Sequence, residues 1–231
     1  MSRRLLPILA LALLGACASG SESDLGDERA QAVAYLRGAL AGRAEVPPPT
    51  RAALAARGTT GSVLVVSRPE PRVTDVLTPL SGNDGAITWG GGPVSVDLRE
   101  GIVSGTRGLG FDLISAETAP LRAAMAAGGG RYTRALRDLD GEGRLRRLVL
   151  DCTLESLGAS TALVLGQPYT GRRFRESCAV GPAGIFLPNA PGGRIVNEYA
   201  LDGKGIMRSS RQWIAPRLGY LELGRTEIAG Q

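Results

Sequence analysis

Between positions 62 and 107 the chain alternates short apolar, β-branched runs with glycine-punctuated turns, at a spacing of about ten residues. The runs fall at 62–68, 73–80, 86–89, 94–98 and 102–107. Gly82-Asn83-Asp84-Gly85 and Arg99-Glu100-Gly101 separate two of the pairs. The second half continues with runs at 132–139, 144–153, 161–165, 169–178, 185–187, 196–201, 206–213 and 218–223. Two of its turns share one device: Asp140-Gly141-Glu142-Gly143 and Asp202-Gly203-Lys204-Gly205 each join alternating flanks, the mark of a hairpin. Helical spacing is confined to short stretches. Ala30, Val33, Ala34, Leu36 and Leu40 place a helix over 27–42. Thr50 caps a second over 50–57, and a third over 119–127 stops at Gly128-Gly129-Gly130. This pattern predicts a mainly β fold. It is an antiparallel barrel or sandwich of many short strands, with an N-terminal helix and one or two short inserted helices.

The apolar run at 5–14 is of another kind. Ten residues make about 15 Å of helix, half a bilayer core, so the run is too short to span a membrane. Behind Arg3 and Arg4 it reads as a secretory signal. It ends in Leu14-Gly15-Ala16-Cys17, which resembles a bacterial lipobox: two small residues fit a narrow peptidase site, and the Cys17 thiol accepts diacylglycerol. The expected organisation is a signal peptide at 1–16, a small, polar and acidic tether at 17–26, and a single mainly β domain at 27–231. Several acyl chains, at about 0.8 kcal/mol per buried CH₂, hold such a domain on a bilayer without protein insertion.

Composition narrows the chemistry. The 231 residues include no histidine, which excludes Ser–His–Asp and Cys–His catalysis and imidazole metal sites in this chain. Three cysteines are too few for a Cys₄ zinc site, and one of them is the lipidation candidate. In an oxidising compartment the other two, Cys152 and Cys178, read as a disulfide; buried free thiols are the alternative. Cleavage before Cys17 removes two of the 27 basic residues and none of the 22 acidic ones, so the net charge falls from +5 to +3. An excess this small gives no case for nucleic acid.

No motif announces a reaction or a cofactor. Asp138-Leu139-Asp140-Gly141-Glu142-Gly143 opens like a calcium loop, but the twelfth position is Val149, where an EF-hand needs a bidentate carboxylate. Gly105-Thr106-Arg107-Gly108-Leu109-Gly110 has the wrong order for dinucleotide binding and reads as a strand exit. The scarce large aromatics, Trp89, Trp213 and Tyr220, read first as core of a β fold. The sharper alternative makes Trp213 and Tyr220, with Arg211 and Gln212, contacts for a glycan or a partner protein.

Four stretches, taken in order, resemble the YjbF/GfcB lipoproteins of group 4 capsule and exopolysaccharide production. They are Thr106-Arg107-Gly108-Leu109-Gly110-Phe111-Asp112-Leu113-Ile114-Ser115-Ala116-Glu117, Leu139-Asp140-Gly141-Glu142-Gly143 through Asp151-Cys152-Thr153, Asn197-Glu198-Tyr199 with Ser210-Arg211-Gln212-Trp213, and Gly219-Tyr220-Leu221-Glu222-Leu223. The likeness covers roughly residues 17 to 223. The chain departs from the family pattern at Ala200 and Arg208, where tryptophans are common. The resemblance implies an envelope location and a part in polysaccharide secretion, with polysaccharide export or assembly proteins, or the polysaccharide itself, as partners. Ala18 after Cys17 implies the outer membrane, facing the periplasm. The expectation is a non-catalytic lipoprotein. The alternatives are a glycan-modifying enzyme using carboxylates among Asp112, Glu117, Asp151 and Glu222, or a purely structural envelope protein.

Overall fold

The computed structural model describes residues 48–69, 72–140, 142–180 and 193–230. The signal peptide, Cys17, the tether, the helix expected at 27–42 and the strand expected at 185–187 lie outside the described residues. Within them the chain forms helix α1 (Arg51–Ala56) and strands β1 (Gly61–Pro69), β2 (Arg72–Asn83), β3 (Ala86–Gly91), β4 (Val94–Arg99), β5 (Ile102–Arg107) and β6 (Leu113–Ala116). Helix α2 (Ala119–Ala126) follows. The rest is β7 (Gly129–Leu139), β8 (Leu145–Val164), β9 (Gln167–Val180), β10 (Arg194–Asp202), β11 (Met207–Ala215) and β12 (Gly219–Ile228).

Each strand but one pairs antiparallel with the next in sequence, the exception being β5 with β6, and β12 returns to pair with β1, Gly61 opposite Ile228. The result is a twelve-stranded, nearly closed meander barrel whose two edges are β5 and β6. The expected fold class is therefore borne out. Its turns follow from local chemistry. Asp84-Gly85, Glu100-Gly101 and Leu165-Gly166 are two-residue loops with positive φ at both positions, as the twist of a tight hairpin requires. Thr50 caps α1 as expected, its Oγ1 accepting from the Ala53 N–H at 3.1 Å.

The paired Asp-Gly turns are the same device in three dimensions. Asp140 Oδ1 accepts from the N–H groups of Glu142 and Arg144, both at 2.9 Å. Asp202 Oδ1 accepts from those of Lys204 and Ile206, at 2.9 and 3.0 Å. In each, an arginine Nε donates to the other carboxylate oxygen, Arg144 in the first and Arg208 in the second. Hydrogen bonds from Arg144 hold the Asp140 carboxyl down to about 2.

Where β5 and β6 fail to pair, side chains bridge the gap. Thr106 Oγ1 accepts from the Leu113 N–H and donates to Asp112 Oδ1, both at 2.9 Å. The Asp112 carboxylate also accepts from the N–H groups of Gly108 and Leu109, so it shapes the connecting loop. Gly108 is obligatory there: φ is +79°, and a Cβ would lie 2.0 Å from the Pro93 carbonyl oxygen.

Two elements depart from the sequence reading. The runs expected at 144–153 and 161–165 are one strand, β8, which passes through a bulge between Ser156 and Gly158. The small, polar stretch there looks like a break in sequence but only kinks the ladder. The short strand β6 was not anticipated. In β1, Val63 to Val66 are buried in succession because both faces are covered. Leu64 and Val66 join the main barrel core, while Val63 packs with Leu54 of α1 and Ile228, and Leu165 packs against that cluster.

Cys152 and Cys178 face each other across β8 and β9 and form a disulfide with a sequence separation of 26. Closing a loop of that size is worth about 3 kcal/mol in the chain-entropy model. We expect Cys178→Ser to lower the unfolding free energy by about that much, read from denaturant midpoints. Reduction of the native protein should do the same. Equal midpoints with and without reductant would show that the bridge contributes nothing.

Candidate functional site

The four sequence-predicted contact residues lie together on β11 and β12, but three of them are internal. Trp213 and Tyr220 are cross-strand partners, and Trp213 is 2% exposed and Tyr220 8%. Gln212 is spent on the fold. Its Nε2 donates to the Gly101 carbonyl and to Ser210 Oγ, and its Oε1 accepts from the Val103 N–H. The Tyr220 hydroxyl accepts from the Val196 N–H. Only Arg211 reaches the surface, its guanidinium 3.5 Å from the centroid of the Tyr220 ring. An aromatic glycan platform at Trp213 and Tyr220 is thereby corrected: these rings are core, as is Trp89 at 1% exposure.

The candidate carboxylates are also placed. Asp112 holds the loop between β5 and β6. Glu117 accepts from the Ala135 N–H and from Arg137. Asp151 accepts from Thr133. Glu222 stands opposite Arg211 and is exposed. No two of them share a hydrogen-bond partner among the described residues.

Inside the barrel lies a charged cluster that the sequence reading did not identify. Glu176, fully buried, accepts from Tyr132 at 2.6 Å, Arg134 at 2.9 Å, Asn197 at 2.6 Å and Tyr199 at 2.7 Å. Burial, and then the Glu176 charge, push both tyrosine hydroxyls far above their ordinary value. Burial works against the Arg134 cation, but the Glu176 carboxylate together with Tyr199 and Tyr132 outweighs that and leaves its pKa raised. Glu176 also lies near the two cysteine sulfurs, but these are bonded to each other and its carboxylate already accepts four hydrogen bonds. The cluster reads as a structural tie between β7, β9 and β10.

A cavity of about 510 Å³ opens where the β2–β3, β4–β5 and β10–β11 turns meet α2. That is the size of a small-molecule site. The turns approach closely: a Cβ on Gly101 would lie 2.4 Å from Met207 Cβ. Leu64, Leu98, Ile102, Met125 and Leu223 make its apolar walls, and Ser209 and Ser210 add hydroxyls. Four arginines line it. Arg122, from α2, pairs with Glu100. Arg208 Nε donates to Asp202 at 2.7 Å, and its guanidinium lies 4.4 Å from the Tyr169 ring centroid. The Asp202 carboxyl is held below its usual range: burial opposes this, and hydrogen bonds from Arg208, Ile206 and Lys204 prevail. Arg225 lies over Trp89 and Arg172 over Phe174, at 5.3 and 5.6 Å. Neither has a carboxylate partner among the described residues. A shallower recess of about 310 Å³ gathers Arg173, Glu198, Arg211 and Glu222. There Arg173 and Arg175 both bind Glu198 and, against the effect of burial, lower its pKa. It offers balanced charge, whereas the larger cavity carries a cationic excess.

A family model described as group 4 capsule polysaccharide lipoprotein gfcB, YjbF, matches residues 36–225. The chain shares its fold with a crystal structure of the hypothetical lipoprotein YmcC from Escherichia coli K12. The TM-score is 0.62 at 18% identity, over 86% of this chain and 97% of that one. No curated protein matches the chain.

Proposed function

Because the chain belongs to the YjbF family of group 4 capsule polysaccharide lipoproteins, we propose that it assists assembly or export of an extracellular polysaccharide from the cell envelope. It does so by holding glycan or a partner protein rather than by catalysing a reaction. The observation that carries this reading is the arginine-lined cavity at one end of the barrel, a concave site with apolar walls and unspent donors. The lipobox-like Leu14-Gly15-Ala16-Cys17 supports attachment through acylated Cys17, and Ala18 supports the outer membrane, facing the periplasm. No helix among the described residues is long and apolar enough to cross a membrane. The experiment is Cys17→Ser with fatty-acid labelling and fractionation. The expected result is loss of label and release to the soluble periplasm. A mutant that stays labelled in the membrane pellet would refute the anchor.

A further inference from the structure

We infer that the large cavity binds an acidic sugar unit, with the carboxylate of a uronic acid-type residue set on Arg208; this rests on the glycan-holding reading above. Among the described residues, six buried side-chain nitrogens have no hydrogen-bond partner, and three of them belong to arginines of this cavity: Nη1 of Arg208 and Nε of Arg122 and Arg225. Burying a donor without a partner is costly, so such groups ordinarily find one. Arg208 lines the cavity and is 8% exposed; Asp202 fixes it through Nε, and its buried Nη1 has no hydrogen-bond partner among the described residues. Arg172 and Arg225 add two guanidinium charges that no carboxylate among the described residues offsets. An anion is what this constellation lacks, and a guanidinium suits a carboxylate.

The remaining walls describe the body that carries the charge. The apolar side chains suit the C–H face of a pyranose ring, and Ser209 and Ser210 suit its hydroxyls. The backbone of Gly85, Gly101 and Gly205 in the lining brings peptide groups within reach of further hydroxyls. An acyl chain would use the apolar walls and leave these polar groups unmet.

The test is equilibrium binding, by titration calorimetry, of three probes to the native domain: oligogalacturonate, its fully methyl-esterified and so neutral form, and laurate. Two variants accompany them. Arg208→Lys keeps a cation for Asp202 but removes the free Nη1, and Arg172→Gln alters an exposed arginine with no carboxylate partner among the described residues. Oligogalacturonate should bind at least about tenfold tighter than its ester, the size expected of one charge-assisted contact. Arg208→Lys should weaken the acid by a similar factor and leave the ester unchanged, and Arg172→Gln should weaken the acid a few-fold. Equal affinity for acid and ester would overturn the acidic-sugar assignment while leaving glycan binding intact. Binding of laurate with no affinity for either oligomer would overturn both.

Discussion

Glu176→Gln should destabilise the barrel by about 3–5 kcal/mol, the cost of leaving one charge of a buried pair without its partner. The substitution keeps the shape but strips the charge that Arg134, 3% exposed, was buried against. It also disturbs an acceptor shared by Tyr132, Asn197 and Tyr199. Denaturant midpoints should fall with little change in slope, because the loss lies in the folded state. Glu176→Leu and Arg134→Met should each cost a similar amount, with these two effects strongly non-additive in the double variant Glu176→Leu/Arg134→Met. That double variant should not regain full stability, since two buried hydroxyls and the Asn197 amide would then lack their acceptor. A loss below about 1 kcal/mol for Glu176→Gln, the size of an exposed ion pair, would mean that water reaches the cluster.

Alkali should unfold the protein from the same point. Tyr132 and Tyr199 have folded pKa values raised above the ordinary 10.0. A raised value means that the folded state holds the proton more tightly than the unfolded one. Their contribution is complete below about pH 10 and is lost as pH climbs from there toward the folded values. Each tyrosine then costs up to about 1.4 kcal/mol per pH unit, so the two together give a steep alkaline limb. Unfolding free energy measured across that range should decline with this slope, and the phenolate absorbance of Tyr132 and Tyr199 should appear together with unfolding. Tyr132→Phe should flatten the limb while lowering stability at neutral pH. Titration of both phenols in a protein that stays folded would contradict the buried arrangement.

Local features were legible in the sequence, and meetings across the barrel were not. Thr50, the Asp-Gly-x-Gly turns and the X-Gly hairpins act within a few residues of themselves, so their chemistry is written where they stand. The pairing of Cys152 with Cys178 followed from their expected compartment and their number. The cavity arginines come from α2, β9, β11 and β12, and only the folded barrel places them together. Glu176 had a readable signal. It stands between Phe174 and Cys178 on the inward phase of β9, as Asn197 stands between Ile195 and Tyr199 on β10. A polar residue on an apolar phase is the mark of a buried network, but its partners lie on strands remote in sequence. Trp213 and Tyr220 show the converse. Their residue types suit a sugar platform, but their registers turn them inward.

If this barrel serves polysaccharide secretion from the cell envelope, cells lacking its gene should show the defect. The most direct measurement is the extracellular polysaccharide of cells lacking the gene, quantified beside the same cells carrying either the native chain or Cys17→Ser. Polymer at the surface should fall on deletion, return with the native chain and fail to return with Cys17→Ser. Unchanged polysaccharide in the deleted cells would contradict that role.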